Sequence, residues 1–446
     1  MDRRDFIRST VIAGAGLGAA SADALASAAS QVAVAPSDRL RLGFIGTGAR
    51  GQQLIDACRA LPGLDVVSIC DAYTGRAERA RARSGGTAAI LPDYRAVLDD
   101  RNVEAVFIAT PDHWHKTMAV AALDAGKDVY LEKPMTYTAA EGLDVIAAVD
   151  RSRRVLQVGS QGPSTAQQRS AREIVKSGRL GQITLVRAAF NRNTPSGAWL
   201  YPIPPDASER TVDWAQFLGP APKRPFSLER FFRWRCYWDY SGGLATDLFV
   251  HLATTIHYVL DVQGPSQVVA AGATHRWKDT HEVPDTIDAI LTYPQGFTVT
   301  LGCTLNSTGG DEGVHIHGTR GTLHLVGNEL RFSAEPAGDD NRWVVRSWPE
   351  ALERGYYADP KVQAIETPSS HLQAATPAGE RWAVSGENED VAHVRTFVEA
   401  VRSRSSPVED ARFGHRAASC AHMINRSIRE GRIVKWDPDR NTVATA

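Results

Sequence analysis

The segment Gly46-Thr47-Gly48-Ala49-Arg50-Gly51 constrains this chain more than any other feature. It is a G-x-G-x-x-G pattern directly after an apolar run, Leu42 to Ile45, and directly before a helix-forming stretch. In that context the first glycine permits a tight turn, the second lets a pyrophosphate approach the backbone, and the third allows close helix–strand packing. The start of the helix then offers free N–H groups and a positive dipole end to phosphate oxygens. Asp71 follows the next apolar run, Leu64 to Ile69, where a carboxylate can accept hydrogen bonds from both ribose hydroxyls. That carboxylate repels a 2′-phosphate, and no basic residue follows it before Arg76, so the pattern favours NAD over NADP.

The surrounding pattern agrees with a nucleotide-binding start. Strands are expected at Leu40–Ile45, Leu64–Ile69, Ala105–Ala109, Asp128–Leu131 and Val155–Val158. Between them helices are expected at Gly51–Ala60, Gly75–Arg83, Tyr94–Leu98, His115–Ala125 and Ala139–Val149. Short buried strands alternating with helices indicate βαβ units and a parallel sheet. Beyond Gly159 longer strands appear, among them Ile183–Phe190, Gln267–Ala273, Phe297–Cys303 and Gly321–Val326, several joined by hairpin-like turns. The expected fold class is α/β. An N-terminal Rossmann domain with a doubly wound parallel sheet occupies residues 38–158, and a C-terminal α+β domain with a large, mostly antiparallel sheet occupies 159–438. The stretch from Pro336 to Arg381 reads as an irregular excursion, and Glu389–Ser403 and His415–Gly431 as closing helices.

Composition narrows the class. A 43% apolar share and a net charge of −1 describe a globular protein with no basic excess for nucleic acid. Residues 1–30 read as a signal peptide: Arg3 and Arg4, a short apolar run from Val11 to Ala20, then Ala24-Leu25-Ala26 as an A-x-A cleavage site. The paired arginines match the twin-arginine export signal, so a periplasmic or otherwise exported protein is expected. The apolar run is too short to span a bilayer, and no membrane span is expected in the mature chain. Five scattered cysteines without a C-x-x-C pair suggest neither a disulfide framework nor zinc.

Candidate chemistry sits where strands of such a sheet end. Thr110, Pro111 and His115 follow one strand, and Glu132-Lys133-Pro134 follow another. Thr110, Pro111, His115, Glu132 and Lys133 join Gly46, Thr47, Gly48, Arg50, Gly51 and Asp71 as the expected cofactor-binding set. Further on, Ser241-Gly242-Gly243 precedes Asp247 and His251, which are four residues apart and so expected on one helix face. Asp247 would then fix the tautomer and orientation of His251. The pair lacks a third ligand at metal-site spacing, and no metal is expected.

These motifs, in this order from Leu40 to about Pro438, resemble the Gfo/Idh/MocA family, the glucose-fructose oxidoreductase and inositol dehydrogenase group. The resemblance implies an open-faced second-domain sheet that often forms an oligomer interface, and hence a homo-oligomer. It also implies hydride transfer at a hydroxyl-bearing ring carbon of a sugar, glycoside or cyclitol. Lys133 and His251 match the family's catalytic positions, with Asp247 beside them. Many members place an acid three residues after the histidine, whereas this chain has Thr254. Arg235, Tyr237 and Trp238 are expected to form a sugar-stacking wall, with Gln161 as a further substrate contact. Two other readings stay open: an NAD-dependent glycosidase working by transient oxidation, elimination and re-reduction, and a non-catalytic nucleotide-binding module. Export favours a cofactor that stays bound, because no free NAD pool is expected outside the cytoplasm.

Overall fold

The computed structural model describes residues 38–193, 199–310, 312–335, 342–366, 379–384 and 386–444. The expected signal peptide lies outside them. The first unit is a six-stranded sheet of β1 (Leu40–Ile45), β2 (Leu64–Cys70), β3 (Ala89–Ile90), β4 (Ala105–Ile108), β5 (Asp128–Glu132) and β6 (Leu156–Gly159). Its order is β3-β2-β1-β4-β5-β6, with every pairing parallel. Because helices cover both faces, β4 and β5 are buried at every position. The order reverses between β1 and β4, and both strands deliver their C-terminal ends to that switch point.

The first unit is not closed by its own segment alone. Phe44, Phe107 and Tyr130 stack across β1, β4 and β5 at 4.8 Å each, and Phe397 meets Phe107 edge-on at 5.5 Å. Phe397 belongs to the helix Glu389–Ser403, near the other end of the chain. Val394, Val398 and Val401 of that helix join the same buried cluster. Fully burying a side chain of this size contributes roughly 1.5–3 kcal/mol, so the Rossmann core draws substantial stability from outside residues 38–158.

The second sheet has ten strands in the order β14-β13-β12-β11-β7-β10-β9-β8-β15-β16. They are β7 (Ile183–Ala189), β8 (Gln267–Ala273), β9 (Thr286–Thr292), β10 (Thr298–Thr304), β11 (Gly313–Gly318), β12 (Gly321–Val326), β13 (Glu329–Ala334), β14 (Glu380–Ala383), β15 (Val434–Asp437) and β16 (Thr442–Val443). All its pairings are antiparallel except β7 with β10. Burial alternates along β9 and β10, so Ile287, Ala289 and Leu291 face inward with Val299, Leu301 and Cys303. They pack on Leu252, Ala253, Ile256 and Val259 of the helix Val250–Leu260. The face opposite is open, with Val269 and Ile290 exposed.

The structure changes two local expectations. The helix expected from His115 begins at Asp112, since Pro111 is favourable just ahead of a first turn and cannot continue one. Within the stretch read as irregular, Arg342–Val345, Glu350–Ala358 and Pro360–Ile365 are helical and Glu380–Ala383 is a strand. The good helix formers of Glu350–Ala358 bury none of their side chains, so no apolar periodicity announced them.

Candidate active site

A cleft of about 770 Å³ runs from the glycine turn to the helix carrying His251, between the two sheets. At its nucleotide end Gly46 has φ +81°, and an added Cβ would lie 2.7 Å from the Ala109 carbonyl oxygen. At Gly51 an added Cβ would lie 2.4 Å from the Gly46 carbonyl, which is the close packing the motif implies. At Gly48, by contrast, an added Cβ would meet only the Arg76 guanidinium, in ordinary contact at 3.6 Å. The helix Ala49–Arg59 carries no side-chain cap and no acid in its first turn. Its N–H groups are therefore open to an anion.

Asp71 is anchored to this turn. Its Oδ2 accepts the Thr47 N–H at 2.6 Å and its Oδ1 accepts the Tyr73 N–H at 2.8 Å. Oδ1 keeps a lone pair for a ribose hydroxyl, whereas Oδ2 also accepts the Thr47 hydroxyl at 3.3 Å. Thr47, buried, also gives its hydroxyl to Asp71, so it braces the turn from behind and does not line the cleft. Arg50 donates to Glu132 at 2.7 Å and pairs with Asp390 at 2.8 Å. Burial opposes its charge, but Glu132, Tyr130 and Asp390 outweigh that and raise its pKa. Its Nη2 and the Thr110 hydroxyl are buried without protein partners. A dinucleotide fits these features: a cradle that added carbons would fill, an uncapped helix, and two orphaned donors on residues that line the cleft.

One further expected cofactor contact has another duty. His115 is buried with Nδ1 2.6 Å from the Pro134 carbonyl and Nε2 2.9 Å from the Thr110 carbonyl. It ties the loop after β4 to the loop after β5 and does not line the cleft. Pro111 and Glu132 do line it. The nucleotide end is closed by residues 201–233 of the second unit, laid across the end of β2. Asp213 N–H bonds Ala72 O at 2.7 Å, Thr74 N–H bonds Thr211 O at 3.0 Å, and Tyr73 donates its hydroxyl to Asp206 at 2.7 Å. Arg76 lies 4.9 Å from the Phe232 ring centre on the same strap.

At the other end, Lys133 donates to both the Asp247 carbonyl and its Oδ1, each at 2.8 Å. The same Oδ1 accepts from Arg235 Nε at 3.0 Å, and Oδ2 accepts from the Trp199 indole at 3.2 Å. Burial alone would raise the Asp247 pKa; Lys133 and Arg235 together hold it well below the usual carboxylate range. The expected Asp247–His251 hydrogen bond is not among the bonds of the described residues. Ala245–Phe249 forms a π-helical turn, which breaks the 3.6-residue angular step on which the four-residue spacing argument stood. Asp247 therefore organises Lys133 and Arg235, while His251 opens to the cleft beside them. Burial and the neighbouring Lys133 charge push the His251 pKa down to about 3, so its ring is neutral.

Of the expected substrate wall, Gln161 and Arg235 line the cleft but Tyr237 and Trp238 do not. Tyr237 lies under Arg230 at 4.3 Å and Trp238 under Arg429 at 5.5 Å. The 3-10 turn Trp234–Cys236 instead presents Trp234 and Arg235 to the cleft. An aromatic run in sequence does not say which ring faces which way. Arg192, Tyr201 and Gln168 also line the cleft. They lie in segments without a local motif, and only the folding of the helix Ala166–Lys176, β7 and the strap brings them in.

The comparisons with known proteins point the same way. Residues 40–160 match the GFO/IDH/MocA oxidoreductase family with its NAD-binding Rossmann fold, and residues 214–324 match that family's C-terminal domain. The chain belongs to the GFO/IDH/MocA family. It is 35% identical over 160 residues to an inositol 2-dehydrogenase of Pseudomonas fluorescens, a match covering 35% of this chain and 47% of the relative. The chain thus spans about half the length of the curated relatives it matches. A levoglucosan dehydrogenase, solved with NADH and levoglucosan, shares the fold with a TM-score of 0.63 at 22% identity, over 89% of this chain and 99% of that one. The WlbA dehydrogenase of Bordetella pertussis, solved with NADH and UDP-GlcNAcA, gives 0.64 at 20% identity over 90% and 98%. The GFO/IDH/MocA assignment accounts for both units and makes NAD the cofactor of the glycine turn.

Proposed function

We propose that this GFO/IDH/MocA protein moves a hydride between NAD and a hydroxyl-bearing ring carbon of a sugar, glycoside or cyclitol. The observation that carries this reading is the placement of a neutral His251 and the Lys133–Asp247 ion pair in the cleft that begins at the nucleotide turn. NAD, when bound, supplies the hydride acceptor or donor. An unprotonated ring nitrogen of His251 takes the hydroxyl proton as the carbon is oxidised. Lys133, fixed by two bonds to Asp247, directs a remaining N–H at the same oxygen and stabilises its developing negative charge. Arg50 and the turn would hold the nucleotide's phosphates, and Asp71 would hold its ribose. Ring-hydroxyl substrates are supported by the inositol 2-dehydrogenase relative.

The strap over β2 supports a cofactor retained through turnover, and with it a cycle that oxidises and re-reduces before release. That observation also favours the second reading, a glycosidase in which transient oxidation permits elimination of the aglycone. Purified protein is expected to carry nucleotide. Adding sugars, cyclitols and aryl glycosides should reduce it in a single turnover, read at the nicotinamide band. Aglycone release without net NADH selects the glycosidase cycle, and silence of the bound nucleotide across the panel overturns both.

Two further proposals complete the reading. Export by the twin-arginine route is supported by Arg3 and Arg4, and equal retention of wild type and an Arg3→Lys, Arg4→Lys variant in the cytoplasm would refute it. Self-association through the open sheet face is supported by the exposed Val269 and Ile290. An Ile290→Glu variant should then lower the mass measured by light scattering. No helix among the described residues is long and apolar enough to cross a membrane.

A further inference from the structure

Charges at the substrate end of the cleft do not cancel. Towards the nucleotide turn carboxylates are in excess: Arg50 pairs with both Glu132 and Asp390, and Glu389 lies on that side as well. Deeper in, Asp247 is shared by two cations, Lys133 and Arg235, and the buried Asp112, outside ion-pair distance, offsets part of their charge. Arg192 adds a further cation. It follows β7, lines the same cleft, and places its guanidinium 4.7 Å from the Phe190 ring centre. Among the described residues no carboxylate lies within ion-pair distance of it; Glu312, close by, accepts the Asn191 N–H at 2.7 Å. The Arg192 charge is felt at His251, whose basicity it lowers along with burial and Lys133.

Charged acceptors are few at the same end, although Gln168 Oε1 and the Thr254 hydroxyl are buried without hydrogen-bond partners. Both Asp247 oxygens are engaged, Oδ1 by Lys133 and Arg235 and Oδ2 by Trp199. Gln161, Gln168, Thr254 and Thr255 are neutral, and the Gln168 amide already donates to Thr255 at 2.8 Å. A neutral polyol would leave the Arg192 guanidinium without a counter-charge in a partly dry cleft. Such an arrangement is unfavourable. A carboxylate supplies that counter-charge, since it is all acceptor and pairs with a guanidinium through two parallel bonds.

We propose that the ring accepted here carries a carboxylate, as in a uronic acid or a carboxylated cyclitol, and that Arg192 is the residue that selects it. The proposal rests on the hydride-transfer reading above and names its substrate class. Arg192 sets specificity; it takes no part in the proton or hydride steps.

The test uses the NAD-loaded full chain and matched pairs that differ only at one carbon: D-glucuronate with D-glucose, D-galacturonate with D-galactose, and D-mannuronate with D-mannose. Binding is read by the shift of the thermal melt, and reaction by single-turnover reduction of the bound nicotinamide. In at least one pair the uronate should win by about tenfold or more, mainly through KM, as expected for a guanidinium–carboxylate pair. Added salt should narrow the gap. Arg192→Gln should remove most of the uronate advantage and Arg192→Lys should restore part of it. Neutral sugars equalling the uronates in every pair, an advantage that survives Arg192→Gln, or no uronate binding at all would overturn the proposal. Uronate binding that depends on Arg192 but gives no nicotinamide signal would support the proposal and sink hydride transfer instead.

Discussion

At the nucleotide end of the cleft, six consecutive residues fix the geometry through their backbone. At the substrate end, Lys133, Arg192, Trp199, Arg235, Asp247 and His251 arrive from five separate stretches of chain. The first end works because glycines admit the phosphates and a helix start donates to them, which needs little from the rest of the fold. The second works only when β5, β7, the strap and the π-turn are all in place, since one carboxylate must meet two cations and an indole. A local motif can therefore certify a cofactor, while the chemistry done with it depends on side chains that no motif contains.

The sharpest way to break this comparison is to disable one end and watch the other. Lys133→Met and His251→Ala should keep bound NAD yet lose single-turnover reduction by roughly a hundredfold or more, as removal of acid–base catalysis does. Asp247→Asn should fall between these and wild type, because it frees Lys133 and leaves two cations without their common partner. Loss of NAD together with turnover in all three would mean the ends are not separable. The converse variant, Asp71→Ala, should weaken NAD binding by roughly 1.5–3 kcal/mol, about ten- to a hundredfold, while leaving the chemical step of the remaining complex near wild type. Equilibrium dialysis with NAD and NADP measures it, and preference of the wild type for NADP would contradict the assignment.

Smaller effects probe how the two ends are joined. Tyr73→Phe deletes only the strap bond to Asp206 and should speed NAD dissociation by about fivefold, less than the full worth of a hydrogen bond to a carboxylate because the backbone bonds of Ala72 and Thr74 to the strap remain. An unchanged off-rate in a displacement assay would show that the strap does not hold the cofactor. The smallest expected change is in the pH profile. The His251 pKa is lowered from 6.5 to about 3, so the neutral base present above pH 6.5 persists as pH falls, and is lost only near pH 3. Single-turnover rates should then change by less than about twofold from pH 7 to pH 5, whereas an unshifted histidine would cost more than tenfold over that span. A break near pH 6.5 that disappears in His251→Ala would show a wetter site than the structure has.

By itself the sequence determined the architecture and the cofactor end. Alternation of short apolar runs with helices requires a parallel sheet, and Gly46 to Gly51 requires a phosphate-sized gap at its switch point, because backbone sterics act locally. Lys133 and His251 were also legible, as polar residues at a strand end and on a helix. Tertiary structure alone decided their partners. Asp247 turned from His251 to Lys133 and Arg235 because a π-turn altered the helical step. His115 became a clamp because two carbonyls close on its ring. Tyr237 and Trp238 left the cleft, while Arg192, Tyr201 and Trp234 entered it, because a side chain's direction in a loop is set by what packs against it. Charge balance behaves likewise: an arginine counts as unpaired only once every distant carboxylate has been placed, and that information resides in the fold.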